Sequence, residues 1–259
     1  SGSHSGDIVP AYYGGETYGF VCGGQQTAVS NRISRFAFAS GNASDFGSDL
    51  AVAVRYQASA ASSTHGYSIS GLVNAGSSVD HIQKYAMASA ANATDIGNNT
   101  TSKEGSMGTS SETYGYIAGG YPLINDISRF AFASDGNAAD WADLVVVSAF
   151  GMACSDWAND YGYVANQGTD QIQKFPFASQ TNSVDTTQNL TLTMNHSGSN
   201  SSATHGYTQG GTSTSPYNHI DKFQFNTSSH ATDVGNLVTG RSYIGQTHPT
   251  SLTYGYSCG

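Results

Sequence analysis

In the run Ile127-Ser128-Arg129-Phe130-Ala131-Phe132, the bulky aromatics Phe130 and Phe132 occupy alternate positions. A period of two puts both rings on one face of a β-strand and buries that face. The same Ile-x-basic-aromatic pattern returns at residues 33–38, 82–87, 172–177 and 220–225. Between such runs lie clusters of Gly, Asn, Asp and Ser, the residues that make turns, and no stretch carries the 3.6-residue period of an amphipathic helix. The pattern therefore predicts an all-β chain of short strands.

The strands are organised by a longer repeat. Six Tyr-Gly or His-Gly pairs, Tyr18-Gly19, His65-Gly66, Tyr114-Gly115, Tyr161-Gly162, His205-Gly206 and Tyr254-Gly255, recur at intervals of 47, 49, 47, 44 and 49 residues. Each of the first five is followed by the Ile-x-basic-aromatic strand and then by an acid, Asp45, Asp95, Asp140, Asp185 or Asp233. Periods near 50 residues with several short strands per unit point to propeller blades. In the third unit the four expected strands are residues 114–119, 127–134, a short run around Trp141, and 144–154. The chain reads as one domain, with repeats at about 17–63, 64–112, 113–159, 160–203 and 204–252 and a closing or exchanged strand at 253–259.

An aromatic-Gly-Tyr strand ending in Gly-Gly, an Ile-x-basic-aromatic strand and an Asp/Trp turn, in that order, resemble kelch-type propeller repeats along nearly the whole chain. Phrases such as Thr204-His205-Gly206-Tyr207, Ile220-Asp221-Lys222-Phe223 and 231–237 are also similar to repeats of predicted virion structural proteins of aquatic phages. That resemblance implies a propeller on a virion or cell surface. It transfers no binding residues.

The expected fold is a five-bladed β-propeller of four-stranded blades. Six aromatic-Gly strands against five Ile-x-basic strands leave one strand over. It can close the ring, form a half blade in a six-position ring, or complete a sheet edge in a second molecule, because exposed edges template pairing.

Composition narrows the function. Of 259 residues only 10% are charged and 38% are hydrophobic, with a net charge of −9, so solubility rests on hydroxyls and amides. Nine Lys and Arg, five of them at one repeat position, leave no basic patch for phosphates, which excludes a nucleic-acid groove. No apolar run is long enough to insert in a membrane, and no N-terminal signal pattern is evident. Three cysteines form no Cys-x-x-Cys motif; Cys22 and Cys258 share one repeat register and read as small buried residues, with a disulfide between them as the alternative, and Cys154 reads as a core thiol.

No catalytic constellation is visible. The sequence holds no Gly-x-Ser-x-Gly or His-Glu-x-x-His motif, and Glu occurs only at Glu16, Glu104 and Glu112. Histidines show no metal-ligand spacing, and His65 and His205 exchange with Tyr at the marker, so no metal or other cofactor is expected. The repeat cations Arg35, Lys84, Arg129, Lys174 and Lys222 are expected to pair with an Asp of their own or the next blade, the repeat Asp being the obvious candidate; the alternative for Asp45 and its equivalents is to accept backbone N–H bonds in an Asx-type turn.

Length varies chiefly between each marker Gly and the following Ile, where the spacing runs 14, 16, 12, 10 and 14 residues. Recognition usually resides in loops on a rigid scaffold. The variable connections 24–31, 72–80, 121–126, 167–170 and 212–218 nominate Gln25, Asn74, Tyr121, Asn125, Gln167, Tyr217 and Asn218 as ligand contacts. Amides and Tyr rings suit sugar hydroxyls and stacking; the same loops also read as plain solvated turns. The expectation is a non-enzymatic structural or interaction protein at a virion surface or in an extracellular assembly, with other subunits, a second copy by strand exchange, and cell-surface glycans as partners. The alternative is a free lectin-like carbohydrate-binding propeller.

Overall fold

Nineteen strands arranged as five antiparallel sheets make up the structure, a computed structural model that describes residues 17–25, 27–165, 168–243 and 249–258. The first blade holds β1 (Tyr18–Cys22), β2 (Arg32–Ala37) and β3 (Ala43–Asp49). The second holds β4 (Ala58–Ala61), β5 (His65–Leu72), β6 (Ser78–Ala86) and β7 (Thr94–Asn98). In the third are β8 (Met107–Ser110), β9 (Tyr114–Ala118), β10 (Asp126–Ala131) and β11 (Ala139–Asp143). The fourth contains β12 (Met152–Asp156), β13 (Tyr161–Ala165), β14 (Gln171–Pro176) and β15 (Val184–Asn189). The fifth contains β16 (Gly198–Ser201), β17 (His205–Gln209), β18 (Tyr217–Gln224) and β19 (Thr232–Arg241). Strands within each blade follow chain order, and the blades form a ring: a five-bladed β-propeller, consistent with kelch-like repeats. Four blades are four-stranded; the first shows three strands among the described residues.

Blades are offset by one strand from the expected units. Met152–Asp156, read as the end of the third repeat, is the innermost strand of the fourth blade and pairs with β13 from Met152↔Ala165 to Asp156↔Tyr161. In each four-stranded blade the marker strand is thus second. Its predecessor lies against the axis and is rich in small side chains, such as Ala58, Ser59 and Ala60 in β4 or Gly198 and Ser199 in β16, with Met107 and Met152 at the starts of β8 and β12.

The marker Gly is explained by a ring. In register with it on the next strand stands the repeat aromatic, as in Gly162↔Phe175 and Gly206↔Phe223. A Cβ on Gly162 would lie 2.5 Å from Phe175, and one on Gly19 2.5 Å from Phe36; Gly66, Gly115 and Gly206 meet Tyr85, Phe130 and Phe223 in the same way. Only glycine lets the ring lie flat on the neighbouring backbone.

Blades are joined by the second aromatic of the marker strand. Tyr67 stacks on Phe132 of the next blade at 5.0 Å and 21°, and Tyr116 on Phe177 at 4.5 Å and 23°. Tyr163 meets Phe225 at 4.8 Å. The Tyr116 hydroxyl donates to the Phe177 carbonyl at 3.0 Å, so the buried phenol is satisfied. Buried amides add staples: Gln83 accepts from Val52 N at 2.7 Å and Gln173 from Val145 N at 3.0 Å, each tying its blade to the crossover that enters it.

Lys103 is fully buried and its ammonium donates to Asp126 at 2.8 and 3.0 Å. Burial pulls its pKa down while Asp126 pulls it up.

Lys84 shows the expected pairing with an Asp of the next blade, though not with the repeat Asp, whereas Arg35, Arg129 and Lys174 depart from it. Arg129 lies over Tyr114 at 4.1 Å and Trp141 at 3.5 Å, and Arg35 over Tyr18 at 4.6 Å. Lys84 pairs with Asp135 of the following blade at 2.8 Å, and Lys174 donates to Asn226 at 3.2 Å. The repeat acids instead hold their own turns: Asp45 accepts from Gly47 N, Asp185 from Thr187 N and Asp233 from Gly235 N at 2.8, 2.8 and 3.0 Å. An aromatic face and a local N–H satisfy the two charges separately.

The C-terminal segment copies the inner hairpin. Thr250 bridges to Gly255 and Ser251 N donates to Tyr254 O at 2.8 Å, as Ser111 N does to Tyr114 O at 2.9 Å. This hairpin lies between the fifth and first blades. Asn200 of β16 donates to Pro249 O at 3.0 Å, while Tyr256 stacks on Phe38 at 4.8 Å and 24°.

Candidate functional site

Because the variable connections join the second and third strands of every blade, they share one rim with the crossovers that lead from each outermost strand to the next innermost one. Gly24 N donates to Val54 O at 2.9 Å, and Tyr121 exchanges backbone bonds with Glu104 at 2.7 and 3.2 Å, fastening loops to crossovers.

The crossovers meet at the axis. Tyr56, Gly105, Phe150 and His196 stand at equivalent positions just before β4, β8, β12 and β16, and Tyr243 follows β19. All five are left-handed, with φ of 57°, 63°, 51°, 56° and 58° in that order. Four are not glycine, and holding such residues there costs about 1–3 kcal/mol each. A chain of backbone bonds imposes the conformation: Gly105 N donates to Tyr56 O at 2.8 Å, Phe150 N to Gly105 O at 2.7 Å and His196 N to Phe150 O at 2.6 Å. The result is a collar.

Its side chains converge. Phe150 stacks on His196 at 4.5 Å, and His196 lies 4.2 Å from Tyr243; Tyr56 meets Phe150 edge-on at 5.6 Å and Tyr243 at 6.2 Å. Gly105 leaves room for the Phe150 ring, which would lie 2.6 Å from any Cβ there. Tyr56, His196 and Tyr243 border a cavity of about 1170 Å³ lined on one side by β1 and the loop after it, and on the other by inner-strand hydroxyls and amides such as Ser59, Thr109, Ser155 and Asn200.

Several polar atoms of the mouth are buried without a partner among the described residues: His196 Nδ1, Arg55 Nε, Glu104 Oε2 and Ser106 Oγ. Native interiors leave few such atoms unsatisfied, so four in one region mark a place where a ligand or water can bond. Burial lowers the His196 pKa and keeps the ring neutral. Burial raises Glu104, opposed by the nearby Arg55 charge. The Arg55 guanidinium lies over Tyr56 at 5.0 Å and donates to Gln25. The mouth therefore offers aromatic faces, a neutral imidazole edge, one cation and one acid.

Of the residues nominated from sequence, Gln25 contacts Arg55 and Tyr121 is tied through its backbone to Glu104, so both border the mouth. Asn74 accepts from Val29 N at 3.1 Å and clasps the first loop to the second. Asn125 supplies a carbonyl to Leu144 N at 2.6 Å, and its side chain is exposed. Tyr217 packs on the core beneath the fifth blade, while Asn218 is exposed. Gln167 lies outside the described residues.

Arg55, Tyr56, Glu104, His196 and Tyr243 escaped sequence reasoning because they sit in the segments of nearly constant length. One signal was present: the collar position, 11, 10, 10, 11 and 10 residues after the repeat Asp, reads Tyr, Gly, Phe, His, Tyr, a change of chemistry at nearly constant spacing.

Among the described residues no group of three or more His, Cys, Asp and Glu could hold a metal, and no helix is long and apolar enough to cross a membrane. All three cysteines are free thiols; burial pushes the pKa of Cys154 up to about 12 and those of Cys22 and Cys258 to about 11. Fold and mouth together define a five-bladed β-propeller, consistent with kelch-like repeats, with an aromatic-rich axial opening. No protein-family model matches the chain, and no curated protein sequence matches it.

Proposed function

We propose that this chain is a non-enzymatic interaction module of a virion or extracellular assembly and that its axial mouth contacts cell-surface glycans. The observation that carries the reading is the convergence of Tyr56, His196 and Tyr243 beside the unpartnered atoms of Arg55, Glu104 and Ser106. Pyranose rings present C–H faces that pack on aromatics and hydroxyls that pair with amides, carboxylates and guanidinium, and a concave mouth with a few convergent polar groups is the form such sites take. Binding fits better than turnover: the single acid is opposed by Arg55, and the imidazole is covered by Phe150 and Tyr243. Low charge and repeats similar to virion structural proteins support the surface setting. Under the alternative of a free lectin-like propeller the same mouth would serve.

The test is a saccharide panel read by melting temperature. A specific sugar should raise it, by linkage of binding to folding, and Tyr243→Ala should abolish the rise. If no saccharide shifts the transition, or the shift survives Tyr243→Ala, the glycan reading is wrong.

A further inference from the structure

In the outer ring, Ala93 N donates to Asp49 O, Ala138 N to Asn98 O, Ser183 N to Asp143 O and Ala231 N to Asn189 O, at 2.8 to 2.9 Å. These bonds link blades one to two through four to five. Among the described residues no such bond links the fifth blade to the first. The C-terminal hairpin stands there instead and supplies only the two inner strand positions of a further blade.

Three features show what that position lacks. Gly19, Gly66, Gly115, Gly162 and Gly206 are buried beneath an aromatic of the adjacent strand, whereas Gly255 is exposed and the nearest atoms to a Cβ on it belong to Asn200. Tyr18, Tyr114 and Tyr161 carry a repeat cation over their rings, whereas Tyr254 is 66% exposed. Every other marker strand has a third strand on its outer edge; among the described residues the Tyr254 edge has none.

We infer that this edge accepts, from another polypeptide, a β-strand with the Ile-x-Lys/Arg-aromatic pattern. Its aromatic would cover Gly255, displacing the Asn200 carboxamide, and its cation would lie over Tyr254. The five strands of this pattern in the chain, β2, β6, β10, β14 and β18, are each paired on both sides within their own blades. A second copy would have to dismantle a described blade to donate one, and we take the donor to be a separate repeat-bearing chain. Main-chain bonds along the edge supply affinity and the two side-chain positions supply selectivity, as in other strand additions. The inference deepens the assembly half of the proposed function; Asn200, Pro249 and Thr250 also line the cavity behind the mouth, so the two halves are told apart by their readouts, peptide binding for one and saccharide-induced stabilisation for the other.

A labelled peptide copying residues 124–144, which carries one repeat strand and its outer neighbour, is titrated against the protein. Saturable binding is expected, weakened at least about tenfold by Gly255→Val in the protein and, separately, by Phe130→Ala in the peptide. The peptide variant keeps the test valid should the protein variant misfold. Absence of saturation at about 1 mM peptide, or indifference to both changes, overturns the inference. A stable dimer of the chain alone that Gly255→Val dissolves also overturns it, since the donor would then be a second copy. Saccharide-induced stabilisation should persist in Gly255→Val, so failure of one proposal is distinguishable from failure of the other.

Discussion

The Tyr256 ring lies on Phe38, 218 positions away in the chain, at 4.8 Å and 24°, and its hydroxyl donates to the Phe38 carbonyl at 3.4 Å. This repeats the relationship of Tyr116 to Phe177, ring and hydroxyl alike. The ends of the ring are thus joined by the contact that joins its interior blades. Tyr256→Ala should lower stability by roughly 2–3 kcal/mol, less than the roughly 3–5 expected for fully buried Tyr116→Ala, since Tyr256 is only half-buried. Chemical denaturation of both variants checks the order.

How much of this was legible beforehand follows from side-chain size. The marker glycines, the Ile-x-basic-aromatic strands and the count of five blades were readable because large aromatics must alternate to seal blade against blade. The inner strands were not. Near the axis Ala58, Gly198, Ser199 and Ser201 are buried although small or polar, so burial there leaves no hydrophobic trace. The Asx-type turn at Asp45, which accepts from Gly47 N–H, was readable from the residue type, but that Arg129 would rest on Trp141 was not. The mouth was half visible: loops carrying Gln25 and Tyr121 were nominated, yet the collar they border depends on backbone handedness at Tyr56 and His196, which no motif announces.

Glycine at the marker is a packing requirement wherever a ring covers it. Gly162→Ala should destabilise by about 1–3 kcal/mol through overpacking against Phe175. Gly255→Ala, which meets the hydrogen-bonded Asn200 side chain and no aromatic ring, should cost less than Gly162→Ala. Paired melting curves decide it; equal losses would argue that backbone conformation and not the ring selects glycine.

Lys103 and Asp126 form an ion pair whose cation has no access to water. Asp126→Ala leaves a buried ammonium unpaired and should cost about 3–5 kcal/mol, whereas Lys103→Met, which removes the charge and keeps the stem, should cost less. Urea denaturation of the two single variants gives the comparison.

His196 sets a pH dependence. Its folded pKa is lowered by burial, so below the ordinary imidazole value of 6.5 the unfolded chain binds a proton that the collar refuses. Stability should therefore fall as pH drops from about 7 toward 5, and be fully present above that range. His65 and His205 are shifted the same way and contribute in the same window. His196→Phe, which preserves the stack on Phe150, should flatten the profile without abolishing it. An unchanged slope would place the titration elsewhere.

Closure of the ring is the claim on which the blade order, the flank edge and the shape of the mouth all rest, and a double-mutant cycle of Tyr256→Ala and Phe38→Ala measures it most directly. The two losses should be non-additive, with a coupling energy of about 0.5–1.5 kcal/mol. Strict additivity would mean that the two rings do not touch and that the circle is not closed between them.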